Sequence, residues 1–240
     1  TATRLGHAVG RCLQSNTVLL EVLLRECDLR DEGAGALADG LRTNSASVLA
    51  RLDLASNSIQ LAGAERLAEL LRVSKSLAKL DLTTNQLGTA GTAALMPSLH
   101  KNTALTALSI RDNDIDQQGA AAIAAALRVN VSLSTLWLGK NKLQNEGSAM
   151  ICEALLEARH KSKVAVLDVH KNGITKAGIG SLTQLVENLP SLTALGLAGS
   201  KMQFTETEVM QNMAKEKPEI GRLKAVKLWM GSDMAKWPDF

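Results

Sequence analysis

Aromatic residues are almost missing from this chain of 240 residues: it contains three tryptophans, two phenylalanines and no tyrosine. A core built almost without aromatic rings has to be filled by leucine, alanine, isoleucine and valine. Hydrophobic residues make up 45% of the sequence and charged residues 21%, as in an ordinary soluble globular protein. The chain is therefore long enough to bury a large core, and its composition suits a stack of similar, thin layers.

The chain also lacks a strong charge of one sign, an even set of cysteines and long apolar runs. Its formal net charge of +3 is too small to indicate a nucleic-acid binder, and we find no Lys/Arg run to serve as one. The three cysteines, Cys12, Cys27 and Cys152, have no metal-like spacing, which predicts a reduced chain in the cytoplasm. Neither an apolar run of about 18 residues nor a signal-peptide pattern is present, which predicts no membrane contact.

Catalytic sequence motifs are missing too. There is no Gly-x-x-x-x-Gly-Lys-Ser/Thr loop, no His-Glu-x-x-His and no Gly-x-Ser-x-Gly. The clustered glycines, such as Gly33 with Gly35, come at the starts of predicted helices. His7, His100 and His160 have no partner at ligand spacing. We therefore predict a protein that is not an enzyme and that carries no cofactor and no metal.

What the sequence does contain is a repeat. In residues 133–143, leucines occupy positions 1, 4, 6 and 11, and Asn141 occupies position 9. The pattern returns in eight copies, which begin at Leu19, Leu49, Leu77, Leu105, Leu133, Val164, Leu192 and Leu223. Position 9 recurs at intervals of 30, 28, 28, 28, 31, 28 and 31 residues, which excludes a chance match. Each copy is predicted to form one short strand and the turn that leaves it.

The linkers between the copies predict helices. Each has a glycine near small residues and then apolar residues at helical spacing, as in residues 119–127. Pro97 falls inside the linker after the third copy and is expected to kink or shorten its helix. Asn44, Asn102 and Asn130 are interpreted as turn residues, since asparagine tolerates left-handed conformations. The asparagines at position 9 are expected to form a ladder of hydrogen bonds to buried backbone groups.

Together these features resemble the ribonuclease-inhibitor-like subfamily of leucine-rich repeats, from about residue 5 to residue 231. The Leu-x-x-Leu-x-Leu-x-x-Asn-x-Leu core at 28-residue spacing carries the resemblance, together with helices such as Gly63-Ala-Glu-Arg-Leu67-Ala-Glu-Leu70. The resemblance implies an α/β fold: a right-handed horseshoe solenoid of about eight repeats. A parallel β-sheet would line the concave face and helices the convex face.

The whole chain, residues 1–240, is predicted to form one leucine-rich-repeat domain. Residues 1–18 would be the helix half of a preceding repeat, residues 19–202 seven repeats, and residues 203–240 a terminal repeat with a C-terminal cap. The first layer has no polar cap to cover it. We therefore expect either further residues before Thr1, in a longer protein, or a partner that covers this end.

The concave face of the predicted sheet is the remaining place for a function. Strand alternation turns positions 3, 5 and 7 of each copy toward this face and positions 4 and 6 toward the core. Asp53 and Asp81 are then neighbours at position 5, and each is expected to need a basic neighbour such as Arg51, Lys79 or Arg111. A solvated ladder of charges without a binding role is the simpler interpretation of this pair.

Trp137, at position 5 of the fifth copy, stands out. Gly139 leaves space beside it, and Arg111, Asp168 and His170 lie on adjoining strands. An exposed tryptophan on a concave sheet is costly in water and typical of a binding hot spot. The alternative is that it stacks on Arg111 or His170 without any partner. The candidate protein-binding residues are Trp137, Arg111, His170, Asp168, Trp229, Lys140, Asp53 and Asp81.

These features favour non-enzymatic protein recognition: a scaffold that binds a protein partner on its concave face, as a monomer or as a subunit of a larger assembly. A solenoid offers a large preformed surface, which lowers the ordering cost of binding. The resemblance leaves a GTPase-activating protein similar to the Ran regulator as the alternative. Such proteins usually carry a strongly acidic tail, whereas this sequence ends in Lys236-Trp-Pro-Asp-Phe240. Ribonuclease inhibition is disfavoured, because a basic ribonuclease would need an acidic concave face.

Overall fold

The structure, a computed structural model, describes residues 2–199 and 227–229, in which short strands and α-helices alternate. The strands are Glu21–Leu23 (β1), Arg51–Asp53 (β2), Lys79–Asp81 (β3), Ala107–Ser109 (β4), Thr135–Trp137 (β5), Val166–Asp168 (β6), Ala194–Gly196 (β7) and Lys227–Trp229 (β8). The α-helices are Ala2–Leu13 (α1), Arg30–Thr43 (α2), Leu61–Val73 (α3), Gly88–Leu95 (α4), Gln117–Leu127 (α5), Gln144–Glu157 (α6) and Ile179–Asn188 (α7). Two short 3-10 helices, Met96–His100 and Lys176–Gly178, adjoin α4 and α7.

The strands form one parallel sheet in the order in which they occur in the sequence. Each strand pairs with the next at the same repeat position, so Leu52 faces Leu80, and Leu80 faces Leu108. Each helix packs against the helix of the next repeat. The predicted α/β solenoid is therefore confirmed, with a sheet on one face and helices on the other.

The repeated leucines fill the space between the sheet and the helices. Leu52, Leu80 and Leu108 at position 4 are fully buried, as are the helix residues Ala64 and Ala120 that face them. Burying one leucine side chain contributes roughly 1.5–3 kcal/mol, and the repeat multiplies this contribution along the chain. Small helix residues allow the helices to lie close to the strands, because a larger side chain would push the two layers apart.

The first two helices approach one another at glycine residues. A Cβ atom added to Gly40 would collide with the backbone carbonyl of Gly10, and one added to Gly6 would collide with Gly33. Contact this close requires the absence of a side chain. Helix α1 therefore packs closely against α2.

The position-9 asparagines form the predicted ladder. The Oδ1 atom of Asn57 accepts hydrogen bonds from the backbone N–H groups of Cys27 (3.0 Å) and Leu29 (3.1 Å), and its Nδ2 donates to the carbonyl of Leu24 (2.7 Å). Asn85 repeats this arrangement one repeat further on. Each asparagine thus satisfies buried backbone groups of the preceding repeat, as expected.

The interpretation of Asn44, Asn102 and Asn130 as left-handed turn residues is wrong. Asn44 has a φ of −97° and is not left-handed. The Nδ2 atoms of all three donate to carbonyls of the preceding repeat, for example from Asn102 to the carbonyl of Leu71 at 2.7 Å. These side chains therefore build a second ladder, on the side of the solenoid where helices lead into strands.

Pro97 shortens its helix, as predicted. Helix α4 ends at Leu95, and the 3-10 helix Met96–His100 contains the proline in its first turn. Proline has no N–H to donate and clashes with the preceding turn of an α-helix, so the tighter 3-10 geometry takes over.

The register predicted for the eighth copy is wrong. The sequence pattern places Lys227 at position 5 and Trp229 at position 7, but Gly196 at position 5 pairs with Trp229. The last strand is therefore displaced by two residues from the predicted alignment, and Trp229 belongs to the same row as Trp137. The predicted C-terminal cap at 203–240 lies outside the described residues, apart from the backbone of β8.

Candidate functional site on the concave face

The concave face is less open than the sequence suggests. At position 5, every side chain from the second to the seventh copy is buried: Asp53, Asp81, Ser109, Trp137, Asp168 and Gly196. Neighbouring side chains at positions 3 and 7 cover this row. Solvent instead reaches residues at positions 3, 7 and 8, which include the exposed Lys79, Arg25 and Lys140.

The N-terminal cluster consists of Arg25, Asp53 and Asp81. The Nη2 atom of Arg25 lies 3.2 Å from Oδ2 of Asp53 and 3.1 Å from Oδ2 of Asp81, so one guanidinium bridges both carboxylates. The sequence predicts Arg51, Lys79 or Arg111 in this role, and that prediction is wrong. Arg51 instead pairs with Glu21 at 3.7 Å. Arg25 is the residue that sequence reasoning missed.

Asp81 has a perturbed acidity. Burial raises the pKa of its carboxyl, and the nearby Asp53 carboxylate raises it further. Hydrogen bonds from Thr83 and the charge of Arg25 act in the opposite direction, but burial is the largest cause. The side chain of Arg25 remains half exposed, which limits how well it can stabilise the buried charge.

The C-terminal cluster consists of Arg111, Trp137, Asp168 and His170. Asp168 is fully buried; its Oδ2 accepts from Nε of Arg111 at 2.8 Å, and Nδ1 of His170 lies 2.8 Å from its Oδ1. The guanidinium carbon of Arg111 lies 5.7 Å from the centre of the Trp137 ring, within the range of a cation–π contact. The structure thus brings four predicted residues together into one network.

Trp137 is not an exposed residue. Only 3% of it is accessible, because its ring packs with Ala107, Ala194 and Val166 in a small apolar cluster on the concave face. The predicted exposure is therefore wrong, and the stacking on Arg111 that the sequence analysis left as the alternative is present. Small residues at position 3, two of them alanines, leave room for the indole.

Gly139 makes room for the histidine and not for a partner. A Cβ atom at this position would collide with the imidazole of His170 and approach Oδ2 of Asp168 to 2.7 Å. The space predicted beside Trp137 is therefore filled by the chain itself.

Two lysines border the C-terminal cluster. Lys140 and Lys171 are both exposed at position 8 of adjoining repeats, and the described part of the chain provides no ion pair for either of them. Their backbones are left-handed, with φ of 57° and 49°. Position 8 is left-handed in all seven described copies, so this is how each strand turns away toward its helix. Lys171 is a second residue that the sequence analysis did not single out.

Cysteine and metal chemistry have little support in the described chain. All three thiols are free, and burial raises the pKa of Cys152 to about 12, which leaves it a poor nucleophile. Within residues 2–199 and 227–229, no three His, Cys, Asp or Glu side chains are grouped to hold a metal ion. Across the same residues, no helix has both the length and the apolar character needed to cross a bilayer.

Comparison with known sequences supports the repeat assignment. The family described as leucine-rich repeat matches residues 15–38 and 101–124. Leucine-rich repeat-containing protein 45 of Gallus gallus is 40% identical over 70 residues, which are 29% of this chain and 10% of that protein. The chain thus contains leucine-rich repeats and spans about a tenth of the length of that relative.

Comparison with solved structures supports the fold. Actin-binding site 2 of leiomodin-1 superimposes with a TM-score of 0.54 at 18% identity, over 67% of this chain and 91% of that one. The C-terminal domain of Caenorhabditis elegans tropomodulin gives a TM-score of 0.53 at 20% identity, over 67% of this chain and 95% of that one. At these identities the likeness shows a shared fold.

Proposed function

We propose that this chain is a non-enzymatic protein-recognition module that holds a protein partner on its concave face, between the fourth and sixth repeats. The observation that carries the proposal is the C-terminal cluster. It fixes a packed floor of Trp137, Asp168 and His170, beside which Arg111 remains a quarter exposed. A preformed surface loses little conformational entropy when a partner binds, which favours affinity.

In this proposal the exposed side chains bind the partner, and the buried side chains hold them in place. Arg111, Lys140 and Lys171 would touch the partner, because they are accessible and carry charge. Trp137 would act from beneath by holding Arg111 in place. Arginine is frequent among binding hot spots, and exposed charges at the rim steer a partner of opposite charge.

The experiment is quantitative partner capture from the native cell, followed by mass spectrometry, with a Lys140→Glu/Lys171→Glu double variant. We expect captured partner to fall about tenfold, roughly 1.4 kcal/mol, while the melting temperature stays unchanged because both side chains are exposed. Reversal of two exposed charges on the helices, Glu65→Lys/Glu153→Lys, is the control. Equal capture by the double variant and the wild type would refute the concave-face proposal.

Actin is a suitable first partner to test directly. The leiomodin-1 structure is described as an actin-binding site, and it shares the fold of this chain. Likeness at 18% identity concerns the fold alone, so co-sedimentation with filaments and binding to monomers serve here as a test of one named partner. The same double variant shows whether any binding uses the concave face.

The repeat type and the alternative activity are part of the same proposal. The helix that follows each of the strands β1 to β6 and the 28-residue spacing support the ribonuclease-inhibitor-like subfamily. The GTPase-activating alternative is tested by measuring GTP hydrolysis by Ran with and without this chain. Stimulated hydrolysis would replace the purely scaffolding function.

A further inference from the structure

The two edges of the solenoid differ in charge. The helix-to-strand edge consists of the seven turns that lead from a helix into the next strand: 14–20, 44–50, 74–78, 101–106, 128–134, 158–165 and 189–193. These turns contain no aspartate or glutamate and six basic residues: Lys75, Lys101, Arg128, Arg159, Lys161 and Lys163. The six turns 24–29, 54–60, 82–87, 110–116, 138–143 and 169–175 on the opposite edge carry five acidic and five basic residues. Excess positive charge is therefore confined to one edge.

Most of these cations are free to meet a partner. Arg128 pairs with Glu157, but Lys75, Lys101 and Lys161 are exposed and have no ion pair within residues 2–199 and 227–229. Three of the six, Arg159, Lys161 and Lys163, lie within one turn, and the other three are separated by a repeat or nearly so along the sequence. The repeat brings them to one edge.

Aliphatic side chains are exposed on this same edge. Val48, Val73, Val129 and Val131 are 41%, 53%, 45% and 39% accessible. All four lie in, or directly before, a helix-to-strand turn, and the turns at Val73, Val129 and Val131 also contain Lys75 or Arg128. Exposed valines on an edge that carries cations favour a partner that offers both apolar and acidic groups.

A cavity on this edge can receive one side chain. It lies between the turns 44–50 and 74–78 and has a volume of about 140 Å³. Its apolar lining includes the buried Leu49 and Leu77 and the exposed Val73, and its polar lining consists of Asn44, four serines, Arg42 and Lys75. A protein cavity of roughly 150 Å³ can hold a benzene molecule, so this space is large enough for one leucine or phenylalanine side chain.

We propose that the helix-to-strand edge is a second docking surface, which binds an acidic peptide segment through one apolar anchor side chain. The anchor enters the cavity beside Val73, and the carboxylates of the peptide flank it at Arg72, Lys75 and Lys101. Burying the anchor supplies most of the affinity, and the cations select an acidic neighbourhood around it. This surface is independent of the concave-face proposal, because Lys75 and Lys140 lie on opposite edges.

A cavity partly lined by leucines favours a peptide over nucleic acid. The seven turns contain no aromatic residue on which a base could stack, and basic residues alone would bind any polyanion equally well. A lipid surface would use the cations and valines but would leave the cavity unused. These differences can be measured.

The test is selection of a phage-displayed library of random dodecapeptides on the immobilised full chain. We expect the selected pool to combine aspartate or glutamate with one leucine, isoleucine, methionine or phenylalanine. The consensus peptide is then synthesised with a fluorescent label and titrated against variants by polarisation. Lys75→Glu and Val73→Ser should each weaken binding by at least about tenfold. Both side chains are exposed, so the melting temperature should not change.

Matched controls lie elsewhere on the surface. Lys142→Glu reverses one exposed lysine on the opposite edge, and Met150→Ser removes one exposed apolar side chain from α6. Both should leave the affinity within about twofold of the wild type. A selected pool that is not enriched in aspartate or glutamate would overturn the proposal. Peptide binding that is unchanged by Val73→Ser would also overturn it, because the surface would then bind polyanions without an apolar anchor. Binding to phosphatidylserine vesicles with no selected peptide would likewise overturn it, in favour of a lipid surface.

Discussion

Two arginines on the concave face make the same kind of contact in different surroundings. Arg25 bridges Asp53 and Asp81 in the N-terminal cluster, and Arg111 reaches Asp168 in the C-terminal cluster. The side chain of Arg25 is 50% exposed and that of Arg111 is 25% exposed. In the second cluster Arg111 also lies over the indole ring of Trp137, whereas the carboxylates of the first cluster are buried beneath a half-exposed guanidinium.

The exposure of the arginine, and not the number of ion pairs, separates the two clusters, since the carboxylates of both are buried. An exposed guanidinium that loses its partner returns to water at little cost. A guanidinium that is largely withdrawn from water, such as that of Arg111, loses more when its buried carboxylate partner is removed, and the cost is several kcal/mol. We therefore expect the C-terminal cluster to contribute more to folding than the N-terminal cluster, although it contains fewer carboxylates.

The largest difference should come from Trp137→Ala. Removing a buried tryptophan leaves a cavity over Ala107 and Ala194, and we expect a loss of about 3–5 kcal/mol in unfolding free energy. Ser109→Ala, a buried neighbour in the same row with one side-chain hydrogen bond to Thr83, should cost only about 1 kcal/mol. Urea unfolding of both variants measures the difference. A Trp137→Ala variant as stable as the wild type would show that the indole is not a packing residue.

The next difference concerns the two aspartates. Asp168→Asn removes the charge that Arg111 and His170 share in a buried site, and should cost about 3 kcal/mol. After Asp53→Asn, Arg25 can still pair with Asp81, and the rest of its guanidinium can be hydrated. This variant should therefore lose about 1 kcal/mol or less of unfolding free energy. Denaturant titrations at one pH compare the pair. Equal losses would mean that the two clusters are energetically alike.

A smaller effect is expected from two glycines. Gly139→Ala places a methyl group against His170 and should cost about 1–3 kcal/mol through overpacking. Gly180→Ala adds the same methyl group within α7, where nothing lies within 4 Å, and should stabilise the chain by up to about 0.5 kcal/mol. Thermal melts of the two variants should move in opposite directions. Tolerance of Gly139→Ala would show that the imidazole of His170 is not fixed.

The smallest effect is the pH dependence of the N-terminal cluster. Because the folded pKa of Asp81 is raised, chiefly by burial, the folded chain binds this proton more tightly than the unfolded chain. The wild type therefore gains stability from this group as the pH falls through the raised pKa toward the ordinary value of 3.8. Asp81→Asn cannot titrate, so the unfolding free energy of the wild type should rise relative to that of this variant as the pH is lowered from neutral toward 3.8. If the wild type instead lost stability relative to Asp81→Asn as the pH fell, burial would not be the main cause of the pKa shift.

The fold could be predicted from the spacing of residues within each repeat. The candidate site could not, because it depends on contacts between residues of different repeats. The leucines and Asn141 act within one repeat or between neighbours, so their spacing was enough to predict strands, core and ladder. The burial of Trp137 depends on Ala107 and Ala194, which belong to other repeats, and the partner of Asp53 and Asp81 stands one and two repeats before them. The sequence around each arginine does not indicate which of them will contact Asp53 and Asp81.

The register of the last strand could not be predicted because the eighth copy keeps little of the repeat pattern. In the eighth copy only a few apolar residues remain, and a displacement by two residues keeps the strand alternation unchanged. A shift of two residues leaves the same side chains on the same face of a strand. The alternation of the sequence therefore cannot decide which position Lys227 and Trp229 occupy. A sequence signal for Arg25 does exist in retrospect: it and Arg111 are the only arginines at position 7.

The most direct test of the concave-face proposal places a photo-crosslinking amino acid at one position at a time in the native cell. Positions 140 and 171 report on the exposed rim of the C-terminal cluster, and position 153 reports on the exposed side of α6. The proposal predicts that irradiation joins the same protein to positions 140 and 171 and leaves position 153 without an adduct. Adducts at position 153, with none at positions 140 and 171, would contradict it.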